Sequence, residues 1–230
     1  MLLGEIIKIP ITNSNSTSFI EGNLAIPDNP IGIVAFVHGS GSSKSSHRNR
    51  LVSEKLNEYH VATLLFDLLS NEEQESDKKV ENMISQIPGA VLNKFNISLL
   101  TKRLLIATDW IKNQPSTAKL PISYFASSTG SGAALIAAAK YHVRSIVIRS
   151  GRTDLVDNHI LDQIVSPCLF IAGSKEKALV NINKGTIKKL RNVKEKQIII
   201  VDNASHMFEE EGSMAKAVEV STAWIKQHFE

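Results

Sequence analysis

A serine within a run of small residues is the first candidate for chemistry. The run Ala126 to Gly130 (ASSTG) follows the apolar residues 121–125 and precedes a helical pattern of small residues. A strand, a sharp turn with a central Ser and a helix are typical of a nucleophile elbow, which holds the hydroxyl out at the strand tip. Ala126 stands where the usual pattern has Gly. The run alone is equally compatible with Ser128 as a helix N-cap, because Ser is favoured there.

Two further polar groups follow predicted strands later in the chain. Glu176 closes the segment Gly173 to Glu176 (GSKE), and His206 closes the segment Asp202 to His206 (DNASH). Nucleophile, acid and base in this chain order are typical of the α/β-hydrolases. An imidazole can take the proton of a serine hydroxyl, and a carboxylate on its other nitrogen orients it. Asp154, after the preceding strand, is the rival acid.

A glycine loop offers a partner for the serine turn. Residues 38–41 (HGSG) follow an almost wholly apolar strand. A tetrahedral oxyanion needs N–H donors, each of which is worth roughly 3–4 kcal/mol of barrier. We expect one donor from the backbone of Thr129 and another from Ser40 or Gly39. We interpret His38 as a structural residue that hydrogen-bonds the loop backbone.

The elements that must position these groups alternate along the chain. Two amphipathic strands open it, and then strands and helices follow one another, which predicts an α/β fold with a mostly parallel sheet of about seven to eight strands and helices on both faces. The predicted strands span 4–11, 18–26, 31–37, 61–66, 122–126, 143–149, 168–172 and 197–201. The predicted helices span 47–59, 97–113, 129–141, 177–190 and 213–228. We interpret the polar stretch 70–81 as a solvated surface segment, with an exposed helix or a flap as alternatives.

Composition narrows the class of protein. The chain has 230 residues, 43% hydrophobic and 21% charged, and a net charge of +3, which suits a single α/β domain over residues 1–230 and does not indicate nucleic-acid binding. No apolar run approaches the roughly 20 residues of a membrane span. A cytoplasmic location is the default. Cys168 is the only cysteine, and the histidines show no ligand spacing, so we expect no metal and no cofactor.

Taken together, the motifs resemble a known family. The chain has HGSGSSKSSHRNR at 38–50, FASSTGSG at 125–132, IRSGRTDL at 148–155 and NASHMFEE at 203–210. In this combination it resembles the dienelactone-hydrolase-like group of the α/β-hydrolases, and more closely its small bacterial branch. The resemblance covers roughly residue 30 to the C-terminus. It implies the α/β-hydrolase fold and a hydrolase site made of a serine, an acid and a histidine.

The sequence departs from the family pattern at three positions. Dienelactone hydrolases proper have a cysteine nucleophile where this chain has Ser128, so their lactone specificity does not transfer. Ala126 replaces the first glycine of the elbow and adds a methyl group where strand and helix pack closely. Glu176 stands where an Asp is usual, and its longer side chain changes the geometry of the acid.

Several arginines follow the predicted strand ends. Arg48 lies just past the glycine loop, and Arg149 and Arg152 lie at the end of the sixth predicted strand. A guanidinium fork suits carboxylates and phosphates. If two of these side chains converge on the pocket, an anionic substrate is expected. The structural alternative is that Arg152 pairs with Asp154 and that Arg48 braces a loop.

These observations lead to one hypothesis and two alternatives. The hypothesis is a serine hydrolase that cleaves an ester, lactone or thioester of a small soluble molecule through an acyl-enzyme, since no insertion long enough for a large lid is visible. One alternative is a catalytically inactive member of the fold that binds a ligand or a partner. The other is a nucleotide-binding module that uses loop 39–45, although Ser43 replaces the Gly of a phosphate loop before Lys44.

Overall fold

One eight-stranded sheet organises the chain. The computed structural model describes residues 4–13, 16–83 and 91–230. The strand order is β1-β2-β4-β3-β5-β6-β7-β8, in which β2 runs antiparallel to both of its neighbours and β3 to β8 run parallel. The strands are β1 (Glu5–Asn13), β2 (Ser16–Ala25), β3 (Gly32–Val37), β4 (Val61–Phe66), β5 (Ile122–Ser127), β6 (Ile146–Arg149), β7 (Cys168–Gly173) and β8 (Lys196–Val201). The predicted mostly parallel sheet of seven to eight strands is confirmed.

Helices connect the parallel strands, as the sequence pattern predicted. They are α1 (His47–Glu58), α2 (Asn71–Met83), α3 (Ile97–Asn113), α4 (Gly130–Lys140), α5 (Asn158–Leu161), α6 (Lys177–Lys189) and α7 (Ser213–Phe229), with 3-10 turns at Asn93–Phe95 and Thr153–Leu155. Between β6 and β7 the chain holds only one such turn and the four-residue α5, so no large lid is inserted there. In the described ranges, no helix combines the length and the apolar character that crossing a bilayer requires.

Alternating side chains of the central strands explain why both faces of the sheet are covered. Ile33, Ala35 and Val37 of β3 lie in the core cluster that α3 and α4 complete. Val34 and Phe36 lie in a second cluster on the opposite face, with residues of α1 and α7. A strand whose two faces are both buried reads as a continuous apolar run, which is the pattern that residues 31–37 show.

One predicted strand begins later than expected. The apolar pattern suggested a start at Val143, but β6 begins at Ile146, which pairs with Tyr124 of β5. Val143 is buried in the same core cluster without a strand partner. Burial without ladder pairing gives the same apolar signal, because hydrophobicity reports burial and not backbone pairing.

The polar stretch 70–81 forms most of α2, an anchored helix. Glu73 accepts a hydrogen bond from the buried guanidinium of Arg103 at 2.6 Å. Asp77 accepts bonds from the backbone N–H groups of Asn93 and Lys94 at 2.8 and 2.9 Å. The stretch thus lies at the surface and adopts the exposed-helix alternative, while two acidic residues of its inner face have buried or backbone partners. Residues 84–90, which follow α2, lie outside the described residues.

The sheet topology brings the candidate site residues to one edge. Ser128 follows β5, Glu176 follows β7 and His206 follows β8, while Gly39 follows β3. These strands are parallel, so their carboxyl ends meet at the same side of the sheet, where open α/β sheets bind ligands.

A close backbone approach fixes where α4 begins. A Cβ atom at Gly130 would lie 2.5 Å from the carbonyl oxygen of His38 and 2.6 Å from that of Val37. Backbone atoms at this distance cannot give way as a flexible side chain can. The last glycine of the ASSTG turn is therefore required by the packing of α4 against the end of β3.

Substituting Gly130 should destabilise the fold. We expect Gly130→Ala to lower the free energy of unfolding by about 1–3 kcal/mol, because overpacking a tight contact has a cost of that size. Gly185→Ala is the matched control, since Gly185 lies within α6 with nothing within 4 Å of its added Cβ; it should be neutral or stabilise by up to about 1 kcal/mol. Urea unfolding measures both, and equal stability of the two variants would contradict the packing argument.

Candidate active site

The backbone at Ser128 adopts the conformation of a nucleophile elbow. Its φ is +50°, in the left-handed region that L residues rarely occupy. The turn is held by the N–H of Ser128, which donates to the carbonyl of Arg149 at 3.2 Å, and by the N–H of Arg152, which donates to the carbonyl of Ser128 at 3.0 Å. The residue at the N-cap of α4 is Thr129, not Ser128. The N-cap alternative for Ser128 is therefore wrong, and strain of this kind often marks a functional position.

His206 lies against a carboxylate. Its Nδ1 is 3.4 Å from Oε2 of Glu176, and about a third of each side chain is exposed (34% and 33%). Glu176 is also the N-cap of α6, but its side chain makes no capping hydrogen bond, so the carboxylate faces the imidazole and not the helix end. With Nδ1 turned to Glu176, Nε2 is left to accept a proton. His206 and Ser128 line the same pocket, of about 240 Å³.

The rival acid is engaged elsewhere. Asp154 accepts two hydrogen bonds from Arg152, each 2.8 Å long. This pairing lowers the pKa of Asp154. Neither Asp154 nor Arg152 lines the pocket of Ser128 and His206. The structure thus brings Glu176 to His206, keeps Asp154 in an ion pair, and leaves Arg152 outside the pocket to which the sequence had assigned it as a possible substrate-binding residue.

Glycine at position 173 lets the two loops that carry Glu176 and His206 meet. A Cβ atom there would lie 2.2 Å from the carbonyl oxygen of Ala204. That carbonyl also accepts a hydrogen bond from the N–H of Lys175 at 3.1 Å. The two loops therefore pack backbone against backbone, which brings the acid and the imidazole side by side.

Glu210 links the same two loops through its carboxylate. It accepts from the N–H of Ser205 at 2.8 Å and from Nζ of Lys175 at 2.9 Å. These two hydrogen bonds lower the pKa of Glu210 to about 2. Sequence reasoning did not single out Glu210, although it belongs to the NASHMFEE motif.

Ser150 is a second residue that sequence reasoning missed, and it contacts the backbone of His206. The hydroxyl of Ser150 donates to the backbone carbonyl of His206 at 3.1 Å. Ser150 itself has φ +49° and donates its N–H to Ile171 of β7 at 2.8 Å. It belongs to the IRSGRTDL motif, so the signal was present in the sequence, but the contact with residue 206 spans 56 positions and only the fold reveals it.

The glycine loop that carries the expected oxyanion donors lies beside the serine. A Cβ at Gly39 would lie 2.8 Å from Cβ of Ser128, so the absence of a side chain keeps the space beside the serine open. The N–H of Ser40 donates to Oγ1 of Thr129 at 2.8 Å, which ties the glycine loop to the elbow. Because the N–H of Ser40 already has an acceptor, the backbone N–H groups of Thr129 and Gly39 are the remaining candidates.

His38 and Lys44 have structural partners. Nε2 of His38 accepts from the N–H of Leu68 at 3.1 Å, so Nδ1 carries the proton and donates to the carbonyl of Gly39 at 2.8 Å. Burial lowers the pKa of His38, which keeps the ring neutral. Lys44 forms an ion pair with Asp67 at 2.7 Å and with Glu21 at 3.2 Å. Lys44, the cation of loop 39–45, is therefore already paired with carboxylates of the protein.

Two arginines line the pocket with the serine and the histidine. They are Arg48, from the first turn of α1, and Arg149, from the end of β6. The sequence expectation that two arginines could converge on the pocket is met by this pair.

The remaining titratable candidates have no place at this pocket. Cys168 is buried in β7, and burial raises the pKa of its thiol to about 12. A thiol of that kind is inert. Across the described ranges, no group of three or more His, Cys, Asp or Glu side chains has the arrangement of a metal site.

Comparison with solved structures reveals a close relative. A dienelactone hydrolase from Anabaena variabilis is 36% identical and superposes with a TM-score of 0.85, covering 98% of both chains. Est1E from Butyrivibrio proteoclasticus superposes with a TM-score of 0.71 over 96% of this chain and 98% of its own, but at 13% identity it bears on the fold alone. No family model matches the chain.

Curated relatives carry a different name. Two Mycobacterium tuberculosis proteins, from strains CDC 1551 and H37Rv, are 39% identical over 212 residues, or 91% of this chain, and their names propose a phosphoribosyl transferase. The chain spans 44% of the length of these relatives. Their name therefore describes proteins more than twice as long as the matched segment.

The hydrogen bonds of Glu210 to Ser205 and Lys175, which we call the Glu210 brace, should stabilise the protein in a pH-dependent way. The pKa of Glu210 is about 2 in the folded state against about 4.5 without the brace. A depressed folded pKa stabilises fully above the unfolded value, and this stability is lost as the pH falls from 4.5 towards 2. We expect the urea midpoint of wild type to exceed that of Glu210→Gln at pH 6, with the two converging near pH 2.5.

The neighbouring Glu209 provides the control for this measurement. It is exposed, and Glu209→Gln removes the same charge from the same loop without touching the brace. A difference between wild type and Glu210→Gln that stays constant from pH 6 to pH 2.5, or that Glu209→Gln reproduces, would show that the brace does not stabilise the fold.

Proposed function

The chain belongs to the dienelactone-hydrolase-like group of the α/β-hydrolases, and we propose that it hydrolyses a carboxylic ester, lactone or thioester of a small molecule through an acyl-enzyme on Ser128. One observation carries this proposal. Ser128 projects from a left-handed turn into the pocket that also contains His206, whose Nδ1 is paired with Glu176. A nucleophile, a base and an orienting acid at one strand edge are the parts that such a reaction needs.

In the proposed reaction, His206 acts as base and then as acid. Nε2 of His206 accepts the hydroxyl proton while Oγ of Ser128 bonds to the substrate carbonyl carbon. The tetrahedral intermediate collapses, and the leaving group takes the proton from Nε2. Water then attacks the acyl-enzyme and gives a proton to His206, which returns it to Oγ of Ser128. Glu176 stabilises the imidazolium and fixes the tautomer with the proton on Nδ1.

The oxyanion would be stabilised by backbone donors on the other side of the serine. The N–H of Thr129 lies directly after the nucleophile, at the start of α4, where the helix dipole also favours negative charge. The N–H of Gly39 is the second proposed donor. The hydrogen bond from Ser40 to Thr129 makes the loop and the elbow one unit, so both donors are fixed before substrate binds.

The size of the pocket favours a small substrate. Its volume of about 240 Å³ is below the range of roughly 300–1,000 Å³ that is usual for drug-sized ligands. The connection between β6 and β7, which the structure describes in full, contains only short elements, so no large lid is inserted there for a lipid aggregate to displace. We therefore expect activity on short acyl esters and lactones rather than on long-chain lipids.

The other candidate functions have less support. The name of the Mycobacterium tuberculosis relatives belongs to proteins of which the chain spans 44%, and the serine, histidine and carboxylate of this site are the groups that acyl transfer uses. A nucleotide-binding role for loop 39–45 is disfavoured because Lys44 is held by Asp67 and Glu21. A protein that binds a ligand without catalysis remains the alternative that the first experiment below distinguishes.

Labelling with a fluorophosphonate probe tests the nucleophile. We expect covalent labelling of wild type and none of Ser128→Ala, together with a fall of about 10⁴-fold or more in kcat/KM for p-nitrophenyl acetate. Ser131→Ala is the matched control, since the hydroxyl of Ser131 is buried in α4 without a hydrogen-bond partner in the described part of the chain. It should label like wild type.

Intact folding decides how a negative result is read. Circular dichroism on each sample checks the fold. If folded wild type is neither labelled nor active on p-nitrophenyl acetate, the hydrolase proposal fails and a ligand-binding protein remains. If Ser128→Ala is still labelled, the nucleophile is another residue.

The acid can be tested by comparing two isosteric substitutions. We expect Glu176→Gln to lower kcat for p-nitrophenyl acetate by about 10²–10⁴-fold, because the imidazole loses the partner that fixes its tautomer and its charge. Asp154→Asn breaks only the ion pair with Arg152 and should change kcat by less than about threefold. The opposite ranking of the two variants would assign the acid to Asp154.

A further inference from the structure

The pocket beside Ser128 contains more positive charge than ester hydrolysis requires. Its described lining includes Arg48, Arg149 and His206 and no Asp or Glu. The chain as a whole has almost as many acidic as basic residues, 23 against 26. A pocket that excludes carboxylates in such a chain is suited to an anion.

Arg149 is the buried member of the pair. It is 5% exposed, and its guanidinium lies over the ring of Phe208 at 5.7 Å from the centroid. Its Nε has no hydrogen-bond partner, and the ion pairs of the described residues do not include it. Burial and the charge of Arg48 lower the pKa of Arg149 to about 10, so it stays charged at neutral pH. A buried charge without a partner is unfavourable, which points to a ligand that completes it.

Arg48 supplies a second charge from a different element. It lies in the first turn of α1, and its Nε is also buried without a partner in the described residues. The positive charge of Arg48 lowers the pKa of Arg149. The two guanidinium groups thus repel each other. A monovalent carboxylate offsets one of the two charges, whereas a dianion offsets both.

Other donors around the pocket suit an oxyanion with several acceptor atoms. Ser46 is the N-cap of the twelve-residue α1 and lines the pocket, so the positive end of that helix faces it. Ser42, Ser127 and Ser150 also contribute to the lining. A phosphate monoester carries about −1.5 to −2 charges at neutral pH and three strong acceptor oxygens, which matches two guanidinium forks and a helix N-terminus.

We propose that Arg48 and Arg149 bind a phosphate group of the substrate. The substrate class is then a small phosphorylated ester, lactone or thioester whose carbonyl lies at Ser128 while its phosphate lies between the two arginines. The reaction at Ser128 in this statement rests on the proposed function, but the anion site itself does not depend on catalysis.

Calorimetric titration with inorganic phosphate at pH 8 tests the site directly. We expect phosphate to bind wild type at least tenfold more tightly than succinate, a dicarboxylate of the same charge that lacks the compact array of oxygens. Arg48→Gln should weaken phosphate binding by about tenfold or more, because a charge-assisted contact is lost. Arg50→Gln is the matched control: Arg50 is exposed on the same helix, outside this pocket, and should bind phosphate like wild type.

A second variant covers the buried arginine. Arg149→Lys keeps the charge but loses the planar fork, and it should weaken phosphate binding by about tenfold while its circular dichroism spectrum and melting temperature report whether it is folded. Saturating phosphate should also slow fluorophosphonate labelling of Ser128 in wild type, since the two groups share one pocket.

The outcomes separate this inference from the proposed function. Absence of phosphate binding by a protein that still labels at Ser128 overturns the phosphate site and leaves the hydrolase intact. Phosphate binding that depends on Arg48 without labelling supports the site and overturns the hydrolase. Equal binding of succinate and phosphate overturns the phosphate assignment in favour of a carboxylate, and wild-type affinity in folded Arg48→Gln overturns the role of the arginine pair.

Discussion

The contact of α4 with the end of β3 is the constraint on which the site depends. Gly130 leaves no room for a Cβ atom beside the carbonyls of Val37 and His38, so the chain must turn sharply between β5 and the helix. The turn places Ser128 at φ +50° with its side chain towards the pocket and leaves the N–H of Thr129 at the helix start. The positions of the proposed nucleophile and of one proposed oxyanion donor therefore follow from one packing requirement.

A second set of contacts brings the histidine to the serine. The loops after β7 and β8 meet at Gly173, and Glu210 holds them together through Ser205 and Lys175. Ser150, itself in a left-handed conformation, fixes the backbone of His206 from the neighbouring strand end. Three strand ends thus determine the position of one imidazole, which is the type of rigid support that a catalytic geometry needs.

The buried Arg149 differs from two other arginines of the chain in its pairing. Arg103 has Glu73 as its carboxylate partner, and Arg152 has Asp154. Arg48 and Arg149 line one pocket, and neither has a carboxylate partner among the described residues. Arg149 and Arg152 lie close together near the end of β6, yet only Arg152 has a carboxylate partner. The sequence does not reveal this difference, because pairing depends on which side chains the fold places opposite each arginine.

The sequence by itself determined the fold class, seven of the eight strand positions to within two residues, and the motifs that carry Ser128, His206 and Glu176, because burial periodicity and turn chemistry are local properties. It left the acid open between Glu176 and Asp154, did not separate Arg149 from Arg152, and passed over Glu210. Only the tertiary structure places Glu176 beside His206, Arg149 at the pocket and Glu210 between two loops. Each depends on contacts between loops that follow different strands, and such contacts exist only once the sheet has placed the strand ends side by side.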